Sequence, residues 1–175
     1  MTGGIMNLKD CKRCNRMVRS RNNIVPYDGH EDPDIIFIGD APGIKEDIEA
    51  KPFIGLSGNH LKKSIKEFGL DKYKIGFTNI VMCRPPNNSE PFPYEKLNCF
   101  QHLIVELKKK KPIIIVPLGN HAKDLFVTTK RKIVNIVGNA YVNEYKATGD
   151  TYVVIPNVHP RYDIMSYNDH TIYKQ

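Results

Sequence analysis

Ile35-Ile36-Phe37-Ile38-Gly39-Asp40-Ala41-Pro42-Gly43 opens with an apolar run of four residues, closed by a glycine and then a Pro-Gly turn. With no polar residue on either face, the run predicts a strand buried on both sides, as in a parallel sheet, emptying into a loop. Loops at the carboxyl ends of such strands are where open α/β sheets bind ligands. This one continues through Glu46-Asp47 to Pro52-Phe53-Ile54-Gly55-Leu56-Ser57-Gly58. It therefore offers carboxylates, an aromatic ring and glycines that allow close approach to the backbone.

Downstream, Leu61, Ile65 and Phe68 recur at helical spacing, which predicts a helix over 57–69 with Ser57 as N-cap and Gly69 as its stop. A second strand is expected at Ile75 to Met82, interrupted by Thr78-Asn79. An Asn inside a buried strand must find hydrogen bonds, so it is either a structural bridge or a reader of a ligand. Cys83-Arg84-Pro85-Pro86-Asn87-Asn88 leaves the sheet as a stiff loop. Tyr94 to Lys110 reads as a helix with Leu97, Phe100, Ile104 and Leu107 on one stripe, followed by a strand at 113–116 and a short helix from Asn120 to Phe126. Weaker strands are expected at 133–137, 141–145 and 152–155, the last running into Asn157-Val158-His159-Pro160-Arg161. Upstream, residues 1–10 look like a loose start and 22–33 like a surface loop. Strands alternating with helices imply an α/β fold whose mainly parallel sheet is covered on both faces.

At 175 residues the chain suits one domain with a full core. Lys and Arg number 26 against 19 Asp and Glu, a net charge of +7, which favours a polyanionic partner, most commonly nucleic acid. Lys9, Lys12, Arg13, Arg16, Arg19 and Arg21 surround the first two cysteines, and Lys130-Arg131-Lys132 forms a second knot. Lys108 to Lys111 sits at a helix end, where cations complement the dipole. The sequence shows neither an apolar window long enough for a membrane span nor an N-terminal signal core. The expectation is a soluble, intracellular and cytoplasmic monomer without a membrane partner.

Cys11-x2-Cys14 and Cys83-x15-Cys99 account for all the cysteines. Two pairs joined by folding could hold a structural zinc or an iron-sulfur cluster, and the residues alone do not choose between them. Disulfides are the less favoured use inside a cell.

Taken together the motifs resemble the family-4, iron-sulfur uracil-DNA glycosylases. The carriers are Gly39-Asp40-Ala41-Pro42-Gly43 with Glu46-Asp47, Pro52-Phe53-Ile54-Gly55 with Gly58, Thr78-Asn79-Ile80-Val81 before Cys83-Arg84-Pro85-Pro86, Pro117-Leu118-Gly119, and His159-Pro160. The resemblance implies a three-layer α/β/α sandwich with a central four-stranded, mainly parallel sheet. It implies a [4Fe-4S] cluster on Cys11, Cys14, Cys83 and Cys99, and excision of uracil from single- or double-stranded DNA. Phe53 would stack on the flipped base, Asn79 would read its polar edge, and Ala41 and Gly43 would line the pocket. His159 would stabilise the leaving uracil, with Asp40 and Glu46 as candidates to hold the water. Ser57, Arg84, Arg161 and Tyr162 would touch DNA, Tyr162 or Ile164 acting as a wedge.

The chain departs from the family pattern in three places: Asp40 stands where Glu is usual, Ala50 where Gly is common, and Arg161-Tyr162-Asp163 where a small residue and leucines follow His-Pro. These departures keep open a second reading, a weakened nucleic-acid-binding homologue beside a DNA polymerase. A zinc-stapled hydrolase of a small substrate is a third.

Overall fold

The computed structural model describes residues 7–145 and 149–161. Its strands are β1 (Asp28–Gly29), β2 (Ile35–Gly39), β3 (Ile75–Asn79), β4 (Ile114–Pro117), β5 (Tyr141–Tyr145) and β6 (Asp150–Val154), in one sheet ordered β1-β3-β2-β4-β6-β5. The inner four are parallel, and β1 and β5 add antiparallel edges, so the expected four-stranded parallel centre is present inside a wider sheet. The helices are α1 (Asn15–Ser20), α2 (Ile44–Glu49), α3 (Leu56–Glu67), α4 (Pro93–Lys110) and α5 (Asn120–Phe126). None of the described helices is long and apolar enough to cross a membrane.

Strand periodicity builds the three layers. Ile36, Ile38 and Ile115 turn to one face and pack with Met17 of α1, Leu103 and Leu107 of α4, and Ala122 and Phe126 of α5. Ile35, Phe37 and Val116 turn to the other, against Leu61 and Ile65 of α3. Each fully buried aliphatic side chain contributes about 1.5–3 kcal/mol, so the interior of β2 binds both helical layers to the sheet.

Several expected boundaries move. Residues 133–137 are no strand: Ile133–Asn135 is a single 3₁₀ turn in which Ile133 and Ile136, three apart, are buried while Val134 and Val137 are exposed. A buried period of three cannot be met by a pleat of two. The strand expected to reach Met82 stops at Asn79, although Ile80 and Val81 still donate to the Gly39 and Asp40 carbonyls. α3 begins with Gly55, not Ser57, at its N-cap, and Phe68 is 79% exposed. On α4 the buried stripe is Cys99, Leu103 and Leu107, whereas Leu97 is 69% exposed. Sequence spacing allowed both stripes, and contact with the sheet selects one.

The short helices α1 and α2 were not expected. At six residues each they carry too little periodicity to read. Ala50 closes α2 in a left-handed conformation (φ 53°), the reason a glycine suits that position. Lys110 lies in the last turn of α4 as expected, and it is also buried, bonds Glu31 at 2.8 Å and lies over the Tyr27 ring.

Gly58 lies where α3 crosses the Phe53 backbone, and a Cβ there would fall 2.1 Å from the Phe53 carbonyl carbon. Backbone cannot rotate aside, so Gly58→Ala should destabilise by about 3 kcal/mol, the upper end for overpacking. Chemical denaturation would measure it; a loss within error of zero would contradict the close crossing.

Candidate active site and the four-cysteine corner

Parallel register puts Gly39 opposite Asn79 at the carboxyl edge of the sheet. A Cβ on Gly39 would lie 2.6 Å from Asn79 Oδ1 and 2.8 Å from Phe53 Cζ, so the bare glycine leaves room for a carboxamide and a ring to converge. Asn79 is buried in its strand. Phe53 is held at a left-handed φ of 55°, with its ring 5.7 Å from that of Phe77, which stacks on Phe37 at 5.8 Å. A phenylalanine at positive φ is strained, and here neighbours impose it. Gly58 packs on its backbone. Glu46 Oε1 accepts from the Ile54 and Gly55 N–H groups at 3.0 and 2.7 Å.

That occupation differs from the role expected for Glu46. Its carboxylate ties the Phe53 loop to α2 and satisfies the start of α3, the capping task assigned to Ser57 from sequence. Ser57 lies in the first turn of that helix, half-buried. Asp47 is likewise engaged, accepting from the Asn22 and Asn23 backbone and from Asn22 Nδ2 at 2.7 Å. Gly43 is the N-cap of α2, and Ala41 packs partly against the core.

Asp40 follows Gly39 directly and stands apart from those two acids. A Cβ on Gly119 would sit 3.4 Å from His159 Cβ and 3.6 Å from Asp40 Oδ2, so both side chains flank that glycine. The Gly119 N–H donates to Asn157 O at 2.9 Å, which fastens the His159 loop to the end of β4. Asp40 Oδ1 is buried and has no hydrogen-bond partner among the described residues. Burial pushes the Asp40 carboxyl above the usual carboxylate range, against the pull of His121, His159, Lys96 and the Ala122 N–H. His159 Nδ1 accepts from the Arg161 N–H at 3.2 Å. A neutral imidazole so engaged carries its proton on Nε2 and can donate it outward.

His121 and Lys96 were not singled out from sequence. Lys96 Nζ lies 3.0 Å from Glu90 Oε1 and 3.1 Å from His121 Nδ1, and His121 Nε2 lies 3.2 Å from the same Glu90 oxygen. Lys96, Glu90 and His121 thus close a triangle of polar contacts beside Asp40. For His121 the available signal was its place just after Leu118-Gly119 at a strand end; for Lys96, on a helix nearly sixty residues beyond Asp40, there was none.

Cys11, Cys14, Cys83 and Cys99 line one hollow with Met17, Val81, Arg21 and Asn98. Arg21 Nη1 donates to Cys83 Sγ at 2.9 Å, the Met82 N–H to Cys99 Sγ at 3.3 Å, and Asn98 Nδ2 to Cys14 Sγ at 3.6 Å. Burial raises the thiol pKa of Cys14 and Cys83, and that of Cys99 to about 12. Among the described residues no three His, Cys, Asp or Glu side chains are arranged to hold a metal ion. Thiols lining one hollow, with N–H groups aimed at three of the sulfurs, are a donor set of the kind that thiolate-held metal groups use.

The arginines of this corner are mostly turned inward. Arg16 pairs with the fully buried Glu95 at 2.6 Å and lies over the Phe92 ring, and Arg13 bonds Gln101 and Asn98 O. Half of the basic residues expected to meet a polyanion there are thus structural, while Lys9, Lys12 and Arg19 are exposed. Arg84 bonds Asn88 at 2.7 Å, and Arg161 is exposed. Tyr162, Asp163 and Ile164 lie outside the described residues.

A family profile, the uracil DNA glycosylase superfamily, matches residues 26–172. The chain belongs to this superfamily. It is 35% identical over 156 residues to the type-4 uracil-DNA glycosylase of Saccharolobus solfataricus, covering 87% of this chain and 72% of that protein. It is 37% identical over 155 residues to the one of Sulfurisphaera tokodaii, covering 86% and 69% respectively. A more distant similarity, 28% over 127 residues, is to 13% of the DNA polymerase of Bacillus phage SP01.

In this superfamily member the raised Asp40 pKa has a consequence for stability. The folded state keeps a proton that the unfolded chain releases more readily, so stability falls as pH rises from the ordinary carboxylate value through the raised one. Asp40→Asn should therefore raise the melting temperature at neutral pH and leave it nearly unchanged well below the ordinary carboxylate range. Melting curves at the two pH values check this; a lower melting temperature at neutral pH would mean the carboxylate is net stabilised by its surroundings.

Proposed function

We propose that this protein is a uracil-DNA glycosylase, hydrolysing the bond between uracil and deoxyribose in DNA to leave an abasic site, with a [4Fe-4S] cluster on Cys11, Cys14, Cys83 and Cys99. The observation that carries the reading is the meeting of Phe53, Asn79, Asp40 and His159 around Gly39 and Gly119 at one edge of the sheet. Family membership supports the same conclusion.

Each residue type answers a need of the reaction. A base inside a duplex is out of reach, so it must be flipped into a pocket and laid on a ring, here Phe53. The Asn79 carboxamide donates to uracil O4 and accepts from N3–H, whereas cytosine offers the opposite pattern at those atoms. As the C1′–N1 bond breaks, its electron pair passes to the base and charge develops on O2. The Nε2–H of His159 donates to that oxygen, and stabilising an anion in this way is the largest catalytic term such a site can supply. Water then attacks C1′ and its proton passes to Asp40, whose Oδ1 is unpartnered. Ala41 and Gly43 provide the loop backbone beside the base. In this reading Arg84 and Arg161 meet phosphates, and Ser57 meets the strand near the Phe53 loop.

The cluster, when bound, staples the N-terminal segment to the Arg84 loop and to α4, and hydrolysis needs no electron from it. The similarity to a phage DNA polymerase favours a second reading, a nucleic-acid-binding module beside a polymerase, with little turnover.

Cluster-loaded protein should release uracil from a single-stranded oligonucleotide, and His159→Ala should slow single-turnover release by roughly 100-fold or more. Absence of any abasic product would favour the second reading, and an unchanged rate in the variant would remove the His159 role. Iron measured on the same sample tests the cluster. The protein should be brown with a band near ~400 nm from thiolate-ligated iron, and Cys→Ser at any of the four positions should lower the iron content. Full iron in all four variants would refute the ligand set.

A further inference from the structure

Arg13, Arg16 and Arg21 are engaged within the protein, which leaves Lys9, Lys12 and Arg19 exposed at that corner and a second group of exposed cations at the other knot of basic residues. Lys130, Arg131 and Lys132 are consecutive and exposed, and none has an ion-pair partner among the described residues. They are also held in place. Lys123, only 3% exposed, donates from Nζ to Thr129 O at 3.3 Å and to Arg131 O at 3.2 Å, with Asp124 balancing its charge. The Arg131 N–H bonds Thr129 Oγ1 at 3.2 Å, and buried Ile133 anchors the loop's far end. Burying an ammonium is unfavourable unless it is well bonded, so Lys123 gives the loop a definite shape at some cost to stability.

The loop's position gives that shape a use. The Ile133 N–H donates to Asn120 Oδ1 at 3.0 Å, and Asn120 follows Gly119, the glycine flanked by Asp40 and His159. Farther on, the Gly138 N–H donates to Pro156 O at 3.2 Å, just before the His159 loop. The segment from Lys132 to Gly138 therefore runs along the carboxyl rim of the sheet, between the ends of β4 and β6. Three uncompensated cations on a clamped loop at that rim match a phosphate backbone passing the site.

We propose that Lys130, Arg131 and Lys132 form a phosphate-binding ridge that grips DNA on the His159 side of the site. The inference rests on the glycosylase reading for its partner, but its measurement does not need turnover. Cations that neutralise phosphates release counterions, so the slope of log affinity against log salt counts them.

The test uses the cluster-loaded protein and uracil-free single-stranded DNA, with affinity followed by fluorescence anisotropy across a salt series. The triple variant Lys130→Gln/Arg131→Gln/Lys132→Gln should lower the slope by up to about 2, at roughly 0.7 per phosphate on a single strand, and weaken binding at least about tenfold at low salt. The control Lys108→Gln/Lys109→Gln/Lys111→Gln removes as many charges beside Pro112, at the opposite edge of the sheet, and should keep the full slope. A slope lowered equally in both variants, or in neither, overturns the ridge. Uracil release by the wild-type protein is scored separately. A loss of slope confined to the 130–132 variant without any release defeats the glycosylase reading and leaves the ridge standing; release with an unchanged slope does the reverse.

Discussion

β2 pairs in parallel with β3 on one side and β4 on the other, and parallel neighbours end at the same edge of a sheet. The positions of Gly39, Asp40, Asn79 and Gly119 follow from that pairing. The backbone ladder also outlasts the strands. Ile80 donates to Gly39 O, Leu118 to Ile38 O, Gly119 to Asn157 O and Asn157 to Pro117 O. The loops bearing Asp40 and His159 are thus fixed by main-chain hydrogen bonds continuous with the sheet. Such rigidity matters, because a displacement of about 1 Å at a reacting centre can cost two orders of magnitude in rate.

Room in the site comes from missing side chains. Gly39 leaves space for Asn79 and Phe53 to converge, Gly58 lets α3 lie on the Phe53 backbone, and Gly119 separates Asp40 from His159. Around these gaps the carboxylates divide. Glu46 and Asp47 accept from backbone N–H groups and hold loops, whereas Asp40 is half-buried with its Oδ1 enclosed and unpartnered among the described residues. An unsatisfied buried acceptor destabilises the fold, and native proteins retain such groups chiefly where function needs them.

Charge divides in a similar way. The arginines near the cysteines meet Glu95, sulfur and carbonyl oxygens, so they stiffen the corner that the thiols share. Lys96 sits in a closed triangle with Glu90 and His121 and lends its field to Asp40. A net charge of +7 says nothing of this partition, which depends on which cations find partners on folding.

Where one signal repeats over a long stretch, the sequence alone determined the kind of element. The apolar run at Ile35–Ile38, the periodicity of α4 and the alternation of strand with helix specified an α/β fold with parallel central strands. The order of short motifs from Gly39 to His159 marked the side chains that the fold brings to one edge. Tertiary structure decided what depends on residues far apart in the chain. It alone gave Glu46 its loop, made 133–137 a turn and not a strand, and turned Arg13 and Arg16 inward. It likewise set His121 and Lys96 beside Asp40. Periodicity reports which face of a segment is apolar, but the partner of a buried charge is chosen by packing, and no local pattern records that choice.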